Sequence, residues 1–216
     1  MDPLSHMLAG AVVFDCLPMV NATGKRGLAA AMVAAAAPDL DVVPALVAAF
    51  PTNPFSREGL FDPDLLLRLH RGYTHALPIL LIAAVLFGPL LWRSLGRRGT
   101  WCGWSLVVLT AFLTHILLDM VNGSVRLWLP FSERWIGWGQ FPEADPFLIA
   151  VLLVPFLANH PFHFENRHHL GTLTALERIG AWLHARLTAR VGARRLALLC
   201  LVLATLRILV NVWKLI

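Results

Sequence analysis

Two histidines, an arginine and a glycine stand together in HRGYTH, His70 to His75, between two long apolar stretches. Three other short polar clusters share that setting: His6 in PLSHMLAG, Asp39 and Asp41 in AAAAPDLDVVP, and His115 with Asp119 in AFLTHILLDMVNG. A carboxylate at mid-bilayer costs about 2.5–3.5 kcal/mol on insertion scales, so each such group needs a reason. His115 and Asp119 are spaced i, i+4, which stacks them on one helical face as a helical metal-ligand pair would be. His70 and His75 share no such face. Gly72 suits a turn, so the hexapeptide reads as a bent loop on which both imidazoles can converge. Arg71 is permanently charged and forked, suited to phosphate or carboxylate. Thr74 either orients a ligand or caps the next helix. Asp39 and Asp41 would repel one another in lipid; Pro38 and Pro44 are expected to break the helix so that both carboxylates face a cavity, where a cation removes the repulsion. Asp145 in EADPF is a weaker fifth element. Taken singly, each cluster has a plainer reading: an interfacial histidine, carboxylates satisfied by Arg71 or backbone donors, a His115–Asp119 hydrogen bond.

These residues sit in a chain of 216 residues that is 57% hydrophobic and 14% charged, with a mean hydropathy of +0.66. That is too apolar for an ordinary soluble domain and reads as an integral membrane protein. Cys16, Cys102 and Cys200 lie in or beside apolar stretches without CxxC spacing, which argues against a disulfide framework or a thiolate zinc site. The basic pI, near 9.9, comes from residues flanking the apolar stretches, so membrane topology explains it better than nucleic acid, for which no motif is present.

The elements that must position the clusters are helices, since only a helix satisfies its own backbone in lipid. The fold class expected is all-α and polytopic, with five or six transmembrane helices and the second broken near Pro38. The spans fall near Leu4 to Val20, Leu28 to Phe50, Ala76 to Trp92, Trp101 to Val121, Pro146 to Ala158 and Leu196 to Trp213. Prolines 89 and 155 predict further kinks or breaks. The first run lacks a small-residue cleavage site and is read as a retained span. One membrane-embedded domain covers 1–216: a metal-site region at 1–147, a cytoplasmic connector at 159–195 and a last span at 196–213. Within the connector, Thr172 to Arg190 has the pattern of an amphipathic helix, with a solvated connector as the alternative.

With six spans, Lys25, Arg26, Arg93, Arg97, Arg98, Arg167, Arg178 and the arginines from 186 to 195 fall on one side. Arg57, Arg68, Arg71, Arg126, Arg134 and Lys214 fall on the other. The richer side is expected to be cytoplasmic. That assignment, made from basic residues alone, brings His6, His70, His75, His115, Asp119 and Asp145 to the outer boundary, with Asp39 and Asp41 opening toward it. Imidazole and carboxylate without thiolate suit Zn, Mn, Fe or Ni better than Mg. His6, Asp39, Asp41, His70, His75, His115, Asp119 and Asp145 are more ligands than one tetrahedral ion takes, so one or two divalent ions are expected, Zn or Mn first.

In this order the clusters resemble the YdjM-like family of bacterial inner-membrane, metal-dependent hydrolases. The resemblance is carried by His6, by Asp39 and Asp41 in PDLD, by His70, Arg71, Gly72, Thr74 and His75 in HRGYTH, and by His115 and Asp119 in THILLD. LPFS, Leu129 to Ser132, also looks like the family's segment after the fourth span. The resemblance covers residues 4 to 147, and the C-terminal third carries no matching motif. It implies a polytopic helical protein of the bacterial inner membrane and a metal-dependent hydrolase, and leaves the substrate open.

The chemistry expected is hydrolysis of a phosphoester in an extracytoplasmic phospholipid or lipid-linked phosphate. Metals would activate water and polarise the phosphoryl group. Arg71 would stabilise developing charge, and Asp41 or His75 would move protons. An amide or carboxylic ester remains open. Two other readings are a metal-ion transporter or sensor, which would need polar groups continuing through the inner halves of the spans, and a scaffold with a structural metal site. Arg207, in ATLRILVNVW, is an isolated intramembrane cation that snorkels, pairs with a carboxylate or meets an anionic lipid. The aromatic loop from Trp128 to Phe141 fits an interfacial segment, or a lid over the site.

Overall fold

In the computed structural model, residues 2–17, 23–43, 70–139, 142, 144–160 and 178–213 are described. Pro44 and the rest of the second expected span, Arg57, Arg68, Phe141, Arg167, residues 172–177 and Lys214 lie outside them. The main helices are α1 (Pro3–Cys16), α2 (Gly24–Ala36), α3 (Leu77–Ser94), α4 (Trp101–Asn122), α5 (Pro146–Asn159) and α6 (Ala193–Trp213). The starts and ends of α3 to α6 track the apolar runs closely; α2 begins four residues before its expected span and ends at Ala36. Among the described residues, α3 and α4 are long and apolar enough to cross a membrane, while α1 and α5 are apolar but shorter. Along α3, Ile82, Val85, Leu86, Phe87 and Leu90 are all more than half exposed. An apolar face that large is stable against lipid and not against water.

Proline acts differently at the three described positions where it is expected to interrupt a helix. At Pro38 the α-helix gives way to a 3₁₀ turn, Ala37–Asp41, as expected for a residue that offers no N–H and crowds the preceding turn. At Pro89 and Pro155 the helices instead continue through the proline, so the breaks expected there are absent.

α1 lies at the centre. Its Leu8 and Val12 pack with Leu148 and Leu152 of α5 and Ala197 and Ala204 of α6. A second core joins α2, α3 and α4 through Ala35, Leu80, Ala84, Val108 and Ala111. α1 meets α2 closely at Gly10, where a Cβ would lie 2.8 Å from the Ala35 Cβ and 2.9 Å from the Ala31 carbonyl oxygen. Small residues let the two backbones approach. Since His6 lies one turn from Gly10, and Asp39 about one turn beyond Ala35, this contact also sets those two side chains against each other.

The helices alternate in direction, so the bundle has two distinct ends. One gathers the start of α1, the 3₁₀ turn after α2, the starts of α3 and α5 and the end of α4. The other gathers the basic termini, with the Arg26 guanidinium donating to the Leu95 carbonyl. It also holds residues 178–191, a helical stretch containing a π turn, His184–Thr188.

Candidate metal centre

Four elements deliver the cluster. Asp2 caps α1 by accepting from the Ser5 amide at 2.9 Å, which fixes the helix start and with it His6 in the first turn. Asp39 and Asp41 come from the 3₁₀ turn at Pro38. The His70 to His75 segment reverses through Arg71, whose φ is +62°, into a 3₁₀ turn Tyr73–His75 ahead of α3. A left-handed conformation at a non-glycine residue is a local cost that surrounding contacts must hold in place. α4 supplies His115 and Asp119 from one buried face.

His6, His75, His115 and Asp119 are fully buried. His6 Nε2 lies 3.3 Å from Asp119 Oδ1 and 3.6 Å from Asp39 Oδ2. His115 Nε2 lies 3.3 Å from Asp119 Oδ2 and 3.6 Å from Asp39 Oδ1. His75 Nε2 lies 3.0 Å from His115 Nε2, 3.1 Å from Asp119 Oδ2 and 3.5 Å from Asp39 Oδ1. Neighbouring ligand atoms on a tetrahedral ion with bonds of about 2.0–2.1 Å are about 3.3 Å apart. The spacing is that of a coordination shell.

The far nitrogens explain why Nε2 faces inward. His115 Nδ1 is 2.6 Å from the Ala35 carbonyl oxygen, which can only accept, so Nδ1 carries the proton and the Nε2 lone pair is free. That carbonyl is one of the last of α2. Asp41 does the same for the loop. Its Oδ1 is 2.5 Å from His70 Nδ1, and its Oδ2 accepts from the Thr74 hydroxyl. Having donated, Thr74 Oγ1 accepts from His75 Nδ1 at 3.0 Å. One carboxylate thus sets both loop imidazoles.

Two groups of donors could hold a metal ion: His6, Asp39, His115 and Asp119, and Asp39, His70 and His75. Their chemistry fits a divalent cation. Neither ring nitrogen of His6 has a hydrogen-bond partner, nor does Asp39 Oδ2, although all three atoms are buried. Buried polar atoms are rarely left so. His75, in the turn ahead of α3, also registers the demand for positive charge. Burial opposes its imidazolium, yet hydrogen bonds with Asp119, Asp39 and Asp41 outweigh that and push its pKa up to about 10.

The remaining sequence candidates lie as follows. Asp41 is against the Nδ1 atoms of His70 and His75, at 2.5 and 3.5 Å. Asp145 belongs to neither donor group; it caps α5 through the Leu148 amide at 2.8 Å and pairs with Arg207 Nη2 at 3.0 Å. Of the alternatives for Arg207, the carboxylate partner is therefore the one adopted. Arg71 neither satisfies Asp39 nor Asp41. Its Nη2 donates to Asn122 Oδ1 at 2.9 Å and lies 3.8 Å from Asp119 Oδ1. Its Nη1 occupies the space a Cβ on Gly123 would need. Asn122 and Gly123, the NG that follows THILLDMV, were not singled out from sequence; they read there as an ordinary helix end.

Beside the cluster, residues 124–139 fold back on themselves through paired Val125–Ile136 backbone bonds of 2.9 Å. Leu77 N to Leu127 O at 2.9 Å and Trp138 N to Met120 O at 2.6 Å tie this segment to α3 and α4. Trp128, Phe131, Trp135 and Trp138 all project outward, Phe131 at 82% exposure. The Arg126 guanidinium stacks 5.2 Å above the Trp135 ring.

With this arrangement in view, the comparisons with known proteins place the chain. A curated relative, YfhP of Bacillus subtilis (strain 168), described as an uncharacterized protein, is 27% identical over 100 residues. That match covers 44% of this chain and 30% of the relative, so the chain spans less than a third of that protein's length. No solved structure matches. The model of the YdjM inner membrane protein family matches residues 1–214, and the chain belongs to that family.

Proposed function

We propose that the protein is a multi-pass, metal-dependent hydrolase of the bacterial inner membrane that cleaves a phosphoester of a phospholipid or lipid-linked phosphate at the extracytoplasmic face. The observation that carries this reading is the convergence of four imidazoles and two carboxylates into two donor groups sharing Asp39. When bound, a divalent cation such as Zn or Mn supplies Lewis acidity, lowering the pKa of water and polarising a phosphoryl oxygen. His6, Asp39, His70, His75, His115 and Asp119 are the residues to hold it. Arg71, braced by Asn122, supplies fixed positive charge beside Asp119 for the oxyanion that develops on phosphorus. Asp41 stands outside both donor groups and already accepts protons in hydrogen bonds from His70 and Thr74, so we assign proton transfer to it.

The lipid substrate is supported by the neighbourhood. Exposed tryptophans favour the membrane–water interface, and those of the 124–139 segment flank the cluster. A headgroup can reach the centre while its chains stay in lipid. The sidedness rests on charge: Lys25, Arg26, Arg93, Arg97 and Arg98 all gather at the end away from the cluster, the end we assign to the cytoplasm.

The test is to purify the full chain in detergent, quantify its metals, and screen phospholipid and lipid-linked phosphoesters with wild type, Asp39→Asn and His75→Ala. Wild type is expected to carry stoichiometric metal and release product, with both variants at background. Stoichiometric metal without cleavage of any ester removes the hydrolase; metal-free wild type matched by both variants removes the metal centre too.

A further inference from the structure

We infer that the cluster holds two divalent cations in inequivalent positions, an inner and an outer one, bridged by Asp39. This rests on the metal-dependent reading above and goes beyond it in number, order and linkage.

The two donor groups have one residue in common. Asp39 directs Oδ2 toward His6 at 3.6 Å, and Oδ1 toward His115 at 3.6 Å, His75 at 3.5 Å and His70 at 4.0 Å. Oδ1 thus faces His115 of one group and His70 and His75 of the other, while Oδ2 faces His6, which places this carboxylate to bridge them. Six residues supply donors, more than one tetrahedral ion accepts. His6 shows the demand for a cation most clearly: it is wholly buried, aimed into the inner group, and has no hydrogen-bond partner at either ring nitrogen.

The positions differ in enclosure and tightness. His6, His115 and Asp119 are fully buried, and their nitrogen-to-oxygen spacings with Asp119 and Asp39 run from 3.3 to 3.6 Å. The outer group includes His70, whose side chain is 18% exposed, and its His70–Asp39 spacing is the longer 4.0 Å. The outer ion should therefore bind more weakly and exchange first. Charge agrees with the pair. Asp39, Asp41 and Asp119 are offset in part by Arg71, and two dications then leave a positive excess that an anionic phosphoester would complete.

The experiment uses the full chain in detergent, stripped with a chelator and dialysed against Mn2+. Manganese per chain is measured by elemental analysis, and coupling between ions by electron paramagnetic resonance. Wild type is expected to hold two Mn2+ with an exchange-coupled spectrum, one lost to mild chelation well before the other. His70→Ala should hold one, with an uncoupled spectrum, and Asp39→Asn should show no coupling. His70→Gln, with circular dichroism and elution volume matching wild type, guards against misfolding. One ion in wild type, two in a folded His70 variant, or none in a folded His70 variant each overturns this inference and leaves the metal-dependent reading standing. No ion in wild type overturns both.

Discussion

Each end of the bundle sets an aspartate against a histidine, and the two pairs have opposite fates. At the end away from the cluster, His160 Nε2 sits 3.0 and 3.1 Å from the two Asp15 oxygens. Asn159 Nδ2 donates to the same carboxylate at 2.7 Å and to the Ala193 carbonyl at 3.2 Å, while Thr188 donates to Asn159 Oδ1 at 3.2 Å. The arrangement closes the C-terminus of α5 onto α1 and α6. At the cluster end, the far nitrogens of His115 and His70 bond to Ala35 and Asp41, while the near nitrogens of three buried imidazoles converge on one another and on Asp119 and Asp39. Residue type does not separate a structural pair from a candidate ligand set. What separates them is where the hydrogen bonds go.

That contrast can be broken at Asp41. If its task is to hold His70 and, through Thr74, His75 with Nε2 inward, then Asp41→Asn should weaken metal binding about 10- to 100-fold, the usual cost of losing an outer partner of a ligating imidazole. Competition against a chromophoric chelator measures it. The amide remains nearly isosteric, so the chain should elute and melt as wild type does. An affinity equal to wild type would mean that the far-nitrogen bonds are incidental, and the distinction between the two ends would lose its main support.

A smaller effect is expected at Gly123. A Cβ there would overlap Arg71 Nη1, while the glycine's own φ of −155° is outside the left-handed region. The guanidinium, rather than the backbone, is what requires the missing side chain. Gly123→Ala should leave metal content unchanged and reduce phosphoester turnover about tenfold, less than the 10²–10³ typical of deleting a charge-stabilising donor outright. A fall in metal content would show instead that Gly123 serves the ligand cage.

Helices and candidate donor types were legible in sequence because both are local signals. Apolar length gave α3 to α6 nearly to their ends, i, i+4 spacing put His115 and Asp119 on one face, and Pro38 marked the turn into 3₁₀ geometry. Pro89 and Pro155 show the limit of the same reasoning, since a proline's local penalty does not say whether the helix around it will absorb the loss. The division of labour among the carboxylates was not legible. Asp145 reads in sequence as a weaker donor candidate, and its partner Arg207 comes across from α6, 62 residues away. Asp41 could be separated from Asp39 only once the loop fixed which imidazole nitrogen each one meets. Arg71's seat depends on α4 ending at Asn122 and Gly123, a tertiary approach that no spacing within HRGYTH records.

The smallest predicted effect sharpens the comparison from the other end. His160→Gln removes a hydrogen bond shared between the two Asp15 oxygens, but Asn159 remains bonded to that carboxylate and the His160 side chain is 25% exposed. Water can therefore replace part of what is lost. The cost should be about 1 kcal/mol of stability, read as a small drop in Tm in detergent, with metal stoichiometry and affinity unaltered. Because α1 carries Asp15 at one end and His6 at the other, the variant also asks whether the helix transmits strain. Loss of metal with the stability change would mean that the Asp15–His160 closure sets the position of His6, and that the two ends work as one unit.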